Sequence, residues 1–318
     1  MSFDVSALAD YVDQNRDGLI GKTVAGAKST RVLDLQTGFK SAGAINRLDT
    51  DVVFQDGSSC GRTPDGTTAL DQRILTVGEI KVEEDLCVKD LNKKYTQHQV
   101  KAGSKDDEVP FAQEYTGIKV RKINHANEVA IWQGDTDSAS ANLNRFDGLI
   151  KIIDAEGTVV DGNTSSATSI MKSNIIGLIN DMYEAIPSAL IENGEQGDEV
   201  VSDLAVLVGS DTFRTYLLAL QAANLYHFKP EEGNLEYTIP GTSVKVMALG
   251  GLTGTDRMFA GRIGADGGFV IGVDLENEEE EFDMWYSKDD KVVKFDAAWK
   301  MGTQIKYPEE IVEFTLTV

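Results

Sequence analysis

The sequence predicts a chain of the α+β class, in which helices and sheets occupy separate stretches. Three observations carry this prediction. Residues 110–132 have helical periodicity, residues 299–318 alternate apolar and polar side chains, and residues 38–76 have neither a helical period nor enough apolar residues for a core of their own. With 318 residues, of which 41% are hydrophobic, the chain is long enough for one large or two medium domains.

The chain is strongly acidic, since 52 Asp and Glu against 30 Lys and Arg give a net charge of −22. Neutralising DNA phosphates requires clustered Lys and Arg, so this charge excludes a protein that wraps nucleic acid. It is compatible with a wall that lies beside DNA without adhering, and equally with plain solubility.

Cys60 and Cys87 form no CxxC pair, so the sequence predicts no metal knuckle. Two cysteines without such a pair are typical of a protein from a reduced compartment. Neither a signal peptide nor a membrane helix is predicted.

A long hairpin is predicted over residues 38–76. The runs INRLDTDVVFQDG and ALDQRILTV flank SSCGRTPDGTT, a segment dense in Gly, Ser, Thr and Pro. Because the hairpin carries few apolar residues, we expect it to complete itself on a partner. The apolar parity then changes between Leu75 and Ile80, which predicts a β-bulge at Gly78.

Two helices are predicted in the first half, a short one at 5–14 and a long one at 110–132. Pro110, with acidic residues before it, suits the start of the long helix. Its most basic side carries Lys119, Arg121, Lys122 and His125. This patch is short and lacks interleaved aromatic residues, which favours a solvated or subunit-bridging face over a nucleic-acid site.

A second domain is predicted to begin near residue 156, after a short strand with the sequence FDGLIKIID. A wide apolar helix face runs from Ile170 to Tyr183, and Pro187 stops that helix. DLAVLVG has the composition of a buried strand, and Ser210 is predicted to cap the helix that follows. Further strands are predicted at VKVMAL, RMFAGRI and FVIGVD.

The clearest β signal lies at the end of the chain. Apolar and polar residues alternate over 299–307 and again over 312–318, on either side of a turn at Pro308. Two strands with one apolar face each predict a sheet packed against a helix. The helix at 110–132 is the expected cover.

Two stretches imitate ligand-binding loops. Asp13 to Ile20 resembles the start of a calcium loop, but Val24 occupies the position of the bidentate carboxylate. Gly21-Lys22-Thr23 resembles the end of a phosphate-binding loop whose first glycine is replaced by Arg16. We therefore expect neither ligand.

No catalytic, cofactor-binding or metal-binding residue is predicted elsewhere. His98, His125 and His227 have no ligand spacing, and no G-x-S-x-G nucleophile elbow occurs. The acidic run at 274–283 is expected to be a solvated turn, because consecutive acids point in different directions. A weak cation site at a subunit junction remains the minority alternative for that run.

The order of these pieces resembles the major capsid fold of tailed double-stranded DNA phages, the HK97-like fold, over nearly the whole chain. The supporting stretches are Ile131-Trp132-Gln133-Gly134-Asp135, Phe146-Asp147-Gly148-Leu149, Asp203 to Leu220, and Phe295-Asp296-Ala297-Ala298-Trp299 running on to Phe314. No single motif among them is diagnostic, and the specificity lies in their order.

The resemblance implies a domain plan. It consists of an N-terminal arm at 1–37, an extended loop at 38–76 over a neighbouring subunit, a peripheral domain at 77–155 and 286–318 with a spine helix at about 110–132, and an axial domain at 156–285. The implied function is structural: hexamers and pentamers form an icosahedral or prolate head around double-stranded DNA that the protein does not bind specifically. Implied partners are portal, scaffolding and decoration proteins, with no membrane partner, and assembly takes place in the bacterial cytoplasm.

Two departures from that family sharpen the expectation. Some members crosslink covalently through a lysine of the extended loop, but no lysine occurs between Lys40 and Lys81, so we expect a non-covalent shell. Some members carry a long N-terminal scaffolding segment, for which a hairpin beginning near residue 38 leaves no room. A separate scaffolding protein, or none, is the expectation.

Two other functions stay open. An encapsulin-type nanocompartment has the same fold with a protein cargo in place of DNA. An acidic intracellular hydrolase using unpaired carboxylates is the alternative from another class, against which the scattered histidines and the long hairpin argue.

Overall fold

The structure is a computed structural model, and it describes residues 19, 21–58, 61–62, 64–87, 111–192, 204–225, 236–265, 267–274 and 281–317. The helices are α1 Ser29–Val32, α2 Phe111–Gln133, α3 Leu149–Asp154, α4 Ile175–Ala185, α5 Ser188–Glu192 and α6 Ser210–Ala222, with short 3-10 turns at Gly250–Leu252 and Pro308–Glu310. The strands are β1 Asp34–Thr37, β2 Ala42–Thr50, β3 Thr68–Thr76, β4 Gly78–Cys87, β5 Val160–Asp161, β6 Leu204–Gly209, β7 Glu236–Thr238, β8 Lys245–Leu249, β9 Met258–Arg262, β10 Phe269–Val273, β11 Glu281–Ser287, β12 Val292–Ile305 and β13 Val312–Phe314.

The first sheet is built around β12, the longest strand. Its order is β1-β10-β12-β11, and β4 pairs with the opposite edge of β12. Alternate residues of β12 are buried, as the alternation in the sequence predicts. They share one core with α2, so the long helix covers this sheet: the rings of Tyr115 and Phe295, for example, meet edge to face at 5.9 Å.

The second sheet, with the order β5-β13-β9-β6-β8-β7, is buried on both faces. In β6, Leu204, Val206 and Val208 pack with α4 and α6, whereas Ala205 and Leu207 belong to the core shared with α2. Burial on both sides explains the uninterrupted apolar run of this strand. The two cores therefore lie on opposite faces of one sheet.

The final strands do not share a sheet. β12 is covered by α2 as predicted, but β13 pairs with β5 and β9 in the second sheet, so that part of the prediction is wrong. Conversely, β10 pairs with β12, although it lies within the predicted 156–285 range. Segments that are adjacent in the sequence thus contribute to different sheets. The division into peripheral and axial domains by residue range stays a prediction.

The segment FDGLIKIID, predicted as a strand, forms α3 instead. Gly148 precedes the helix in an extended conformation, and Leu149 and Ile153, four positions apart, are both fully buried. A short apolar run fits the period of a helix as well as that of a strand. Here the helical spacing of four residues places Leu149 and Ile153 on one side of the helix, where both are buried.

Three further predictions need correction. The apolar helix begins at Ile175, not Ile170. Ser210 is the first helical residue rather than the cap, because the cap position belongs to Gly209. Instead of a β-bulge at Gly78, the strand breaks at Val77, where the chain leaves the two-stranded ribbon and enters the first sheet. The predicted helix at 5–14 lies outside the described residues.

Candidate assembly interface

The chain segment 42–76, called the arm from here on, projects as a two-stranded ribbon. β2 and β3 form nine antiparallel residue pairs, from Ala42 with Thr76 to Thr50 with Thr68. Among the described strands, neither pairs with any other. At about 3.4 Å per residue, the ribbon carries its tip about 27 Å from its base.

The outward face of the arm is exposed along its whole length. Residues directly opposite each other in an antiparallel pair share a face. This face therefore carries Ala44, Asn46, Leu48 and Thr50 of β2 and Thr68, Leu70, Gln72 and Ile74 of β3, all exposed. Leu48 lies opposite Leu70, which is 79% exposed, and Ile74 is 65% exposed. Large apolar side chains that remain exposed in the described part of a chain are typical of an interaction surface.

The inward face of the arm is anchored near its base. Ile45 and Leu75 are buried and pack with Val77, Val270 and the partly buried Phe39 in a small separate cluster. The arm also lies very close to β12. A side chain at Gly302 of β12 would therefore collide with the backbone of Thr76. The base is thus fixed on the first sheet.

Two ion pairs hold the arm to the body. Arg47 donates from Nη1 to Oε2 of Glu309 at 3.1 Å, and its guanidinium lies 5.5 Å from the centre of the Tyr307 ring. Arg73 of β3 pairs with Glu156. Both arginines of the β-strands are therefore engaged with their own chain.

The tip of the arm is apolar at its centre and acidic around it. Val52 and Val53 are exposed, and Phe54 is 97% exposed. Asp51 and Asp56 lie on either side of them. The backbone N–H and hydroxyl of Ser58 donate to Asp56, which lowers the pKa of this carboxyl and keeps it ionised.

A buried carboxylate fixes the body from which the arm projects. Glu128 of α2 accepts hydrogen bonds from the backbone N–H and the hydroxyl of Ser29, both at 2.8 Å. The indole N–H of Trp132 donates to the Ser29 hydroxyl oxygen at 2.8 Å, and the N–H of Gly251 lies 3.5 Å from Glu128. Burial lowers the pKa of the nearby Lys28, and Glu236 and Glu128 partly offset that effect. This network joins the N-terminal segment to α2 and the 250–252 turn.

The structure describes only part of the two loops that imitate ligand-binding loops. Val24, at the position of the missing calcium ligand, is fully buried in the core. Gly21, Lys22 and Thr23 lie in a helical turn, where the Thr23 hydroxyl donates to the Leu19 carbonyl at 2.8 Å. Residues 13–18 lie outside the described part of the chain.

Few of the other candidate residues lie in the described part of the chain. His125 is exposed on α2, whereas His98, His227, Cys60 and residues 275–280 of the acidic run lie outside the described residues. Cys87 is a free, exposed thiol. Within the described residues, no group of three or more His, Cys, Asp or Glu is arranged to hold a metal ion. No described helix is long and apolar enough to cross a membrane.

The basic patch of α2 is partly neutralised. Lys119 pairs with Glu84, and burial lowers the pKa of its ammonium group. Tyr115 donates to the same carboxylate at 2.8 Å, and burial raises the pKa of its phenol to about 12. Arg121 and Lys122 are exposed.

The sequence matches no protein-family model and no curated protein. Its structure is similar to several solved particles. A chain of the satellite phage P4 procapsid is 11% identical with a TM-score of 0.60, covering 95% of this chain and 90% of that one. The capsid chain of an empty GTA particle is 11% identical with a TM-score of 0.55, covering 92% and 90%.

A virus-like particle from Pyrococcus furiosus is likewise 11% identical, with a TM-score of 0.51 and a coverage of 96% of this chain and 99% of that one. All three similarities extend over nearly the whole chain. The chain therefore has the fold of phage capsid proteins, as the sequence predicted.

Proposed function

We propose that this chain is the major capsid protein of a tailed double-stranded DNA phage, whose copies assemble into hexamers and pentamers of an icosahedral or prolate head. The observation that carries the proposal is the arm: a ribbon anchored at its base, with an apolar outward face and tip that its own chain leaves exposed. The role proposed is structural and not enzymatic.

The energetics of the arm favour association. Burying each large apolar side chain against a neighbour stabilises the contact by about 1.5–3 kcal/mol. Leu48, Leu70, Ile74 and Phe54 are exposed in the described part of the chain, so their burial against a neighbour would supply a substantial gain. Because each copy offers one arm and receives another, the contact is heterologous, and repeated heterologous contacts form a ring when the rotation between copies closes. Rings of five and six copies are the pieces from which a closed shell is made.

The charge of the chain suits a DNA container. A net charge of −22 repels the phosphate backbone, so packaged DNA is held by enclosure and not by adhesion. No specific DNA-binding surface is part of the proposal.

The shell is proposed to be non-covalent. The arm contains no lysine, and its strand cations Arg47 and Arg73 pair with carboxylates of their own chain. A denaturing gel of mature particles is expected to contain monomers only, and a ladder of bonded subunits would contradict this part of the proposal.

The domain plan and partners follow the same proposal. Residues 38–76 reach over a neighbour, 77–155 with 286–318 form the peripheral domain, and 156–285 meet their copies around the symmetry axes. A scaffolding protein, a portal and decoration proteins are the proposed partners in the virion, with assembly in the bacterial cytoplasm. Closed shells formed by the purified chain alone would argue against a need for the scaffold.

Electron microscopy of the expressed chain tests the proposal. We expect shells or isolated capsomers with five- or six-fold symmetry. A stable monomer at high protein concentration would contradict the proposed function and would favour the alternative of an acidic intracellular hydrolase.

A second candidate is a protein nanocompartment, favoured by the similarity to the virus-like particle over 96% of this chain. Two observations separate it from a phage head. Particles purified from a phage-producing culture should contain double-stranded DNA, and portal and terminase genes should lie beside the gene. A cargo enzyme inside the particle and next to the gene would instead support the nanocompartment.

A further inference from the structure

The arm meets the body at three places on its inward face. At the base lies the anchoring apolar cluster, and beside it Arg47 of β2 pairs with Glu309 and Arg73 of β3 pairs with Glu156. Ile45 lies directly opposite Arg73, so the two arginines are diagonal neighbours on the face that carries the cluster. Contacts at three separate places fix the angle at which a ribbon projects.

The two carboxylates that receive the arm lie in short connecting segments. Glu156 follows α3, and its backbone N–H donates to the carbonyl of Ile153 at 2.9 Å. Glu309 lies in the 3-10 turn after β12, where the N–H of Glu310 donates to the carbonyl of Tyr307 at 3.2 Å. The first segment leads into β5 and the second into β13, and both of these strands belong to the second sheet.

Each connecting segment is also bound by an arginine at one end of β9. Arg257, directly before β9, pairs with Asp154, the last residue of α3, and with Glu313 of β13. Nη2 of Arg262, the last residue of β9, lies 3.7 Å from Oε1 of Glu310. The side chains of Arg257 and Glu313 are only 17% exposed, so solvent screens their attraction less than that of a surface pair.

These contacts form two series of ion pairs with the same order. Each consists of an arginine of the arm, two carboxylates of one connecting segment, and an arginine at one end of β9. The members are Arg73, Glu156, Asp154 and Arg257 in the first series, and Arg47, Glu309, Glu310 and Arg262 in the second. Because the two carboxylates of a segment are at most two positions apart in the sequence, a shift of β9 displaces both of them together.

We propose that the two series of ion pairs couple the angle of the arm to the position of β9. The apolar cluster at the base is the pivot of the arm, and the ion pairs hold the arm at one angle about that pivot. A displacement of the second sheet therefore turns the arm of the same copy. The inference concerns a single copy and does not rest on the proposed function.

Distance measurements between two spin labels test this coupling. In a Cys60→Ser, Cys87→Ser background, one label is attached at Ala69→Cys, an exposed site near the tip end of β3, and the other at Asp289→Cys, an exposed site in the turn between β11 and β12. The labelled chain is mixed with an excess of unlabelled parent chain, so that only distances within one copy are measured. We expect one narrow distribution of distances.

Arg257→Gln is the decisive variant. Within the described part of the chain, the ion pairs of Arg257 are with Asp154 and Glu313, both outside the arm. The population with a displaced arm should nevertheless grow by about fivefold, as it should for Arg73→Gln, because the loss of one ion pair corresponds to about that factor. The matched control is Arg121→Gln, at an exposed arginine of α2, which should keep the distribution of the parent.

A double variant distinguishes coupling from two independent effects. Arg73→Gln together with Arg257→Gln should displace the arm no further than either change alone, because both interrupt the same series of contacts. Independent effects would multiply instead. Circular dichroism checks that each variant is folded. If Arg257→Gln does not fold, Asp154→Asn removes a link of the same series at an exposed side chain and takes its place.

The possible outcomes decide between coupling and a purely local anchor. Displacement by Arg73→Gln but not by Arg257→Gln or Asp154→Asn would reduce the ion pair of the arm to a local anchor and overturn the coupling. Equal broadening by the control, or a parent whose arm already samples many distances, would overturn it as well. None of these results bears on the proposed function, which the electron microscopy of assembled particles tests separately.

Discussion

Two antiparallel strand pairs of similar length lie on either side of Val77 in the sequence. They differ in whether their apolar side chains are covered or exposed. In the β4–β12 pair, ten residues match in register, and the apolar face is covered by α2. In the β2–β3 pair, nine residues match, yet Leu48, Leu70 and Ile74 face solvent. The same alternation therefore identifies an apolar face without identifying what covers it. In the first pair the cover lies in the same chain; in the second, we propose, it lies in a neighbouring copy.

The largest expected effect lies in the covered region. Trp132 is fully buried, stacks on Phe259 with 5.4 Å between ring centres, and donates to Ser29. Trp132→Ala should lower the free energy of unfolding by about 3–5 kcal/mol, measured by urea denaturation. Phe54→Ala, at an aromatic residue that is 97% exposed, is the control and should change it by less than about 0.5 kcal/mol. Equal losses would mean that burial does not distinguish the two sites.

Two leucines of β3 separate stability from assembly. Leu75, 0% exposed, lies in the anchoring cluster, and Leu75→Ala should cost about 2–5 kcal/mol of unfolding free energy. Leu70 is 79% exposed, and Leu70→Ala should change that free energy by less than about 0.5 kcal/mol while reducing the yield of shells in micrographs. If Leu70→Ala forms shells in full yield, the outward face of the arm is not part of the assembly interface.

The buried carboxylate of Glu128 predicts an intermediate effect. Glu128→Gln replaces one acceptor oxygen by an amide that meets donors of Ser29 or Gly251, and should cost about 1–3 kcal/mol in urea denaturation. Glu79→Gln, at a side chain that is 84% exposed, is the matched control and should be close to neutral. If both variants unfold alike, the network does not contribute to stability.

The smallest effect concerns the loop at 134–148. Lys151 donates to Asp135, which lowers the pKa of that carboxyl; for Asp147, burial opposes ionisation, but hydrogen bonds from Lys151 and Thr136 outweigh it and lower its pKa as well. A carboxyl with a lowered folded-state pKa stabilises the fold above its ordinary pKa and loses that contribution as the pH falls through the folded value. Lys151→Gln should therefore flatten the decline of stability between neutral pH and the acid range.

Urea denaturation across that pH range measures this effect. The variant should be less stable than the parent at neutral pH and should approach it at the acid end. Parallel curves for the two proteins would contradict the assignment.

The sequence predicted elements with a clear period and missed those that depend on register. The alternation over 299–305 and the long helix were both found, because one face of each is continuously apolar. FDGLIKIID was misassigned because so short a run fits either period. The pairing of Leu48 with Leu70 depends on the register of the hairpin, which a tip of many residues does not set.

The contacts that fix the body were beyond the sequence for another reason. Ser29 and Glu128 are 99 positions apart, and neither type of residue signals burial. The anchoring pairs Arg47–Glu309 and Arg73–Glu156 likewise join distant segments. The small number of apolar residues in 38–76 predicts a segment that completes itself on a partner, and this stays a prediction. The structure shows which of its apolar side chains are exposed.

The strand β4 has a consequence for how copies of this chain can associate. Among the described strands it pairs only with β12, so its second edge is open along ten residues. Its outward side chains Glu79, Lys81, Glu83 and Asp85 are all exposed and charged. Charges along an open edge discourage the addition of a foreign strand and thus the growth of unlimited fibrils. Growth by unlimited addition of strands at this edge is therefore disfavoured even when many copies are present.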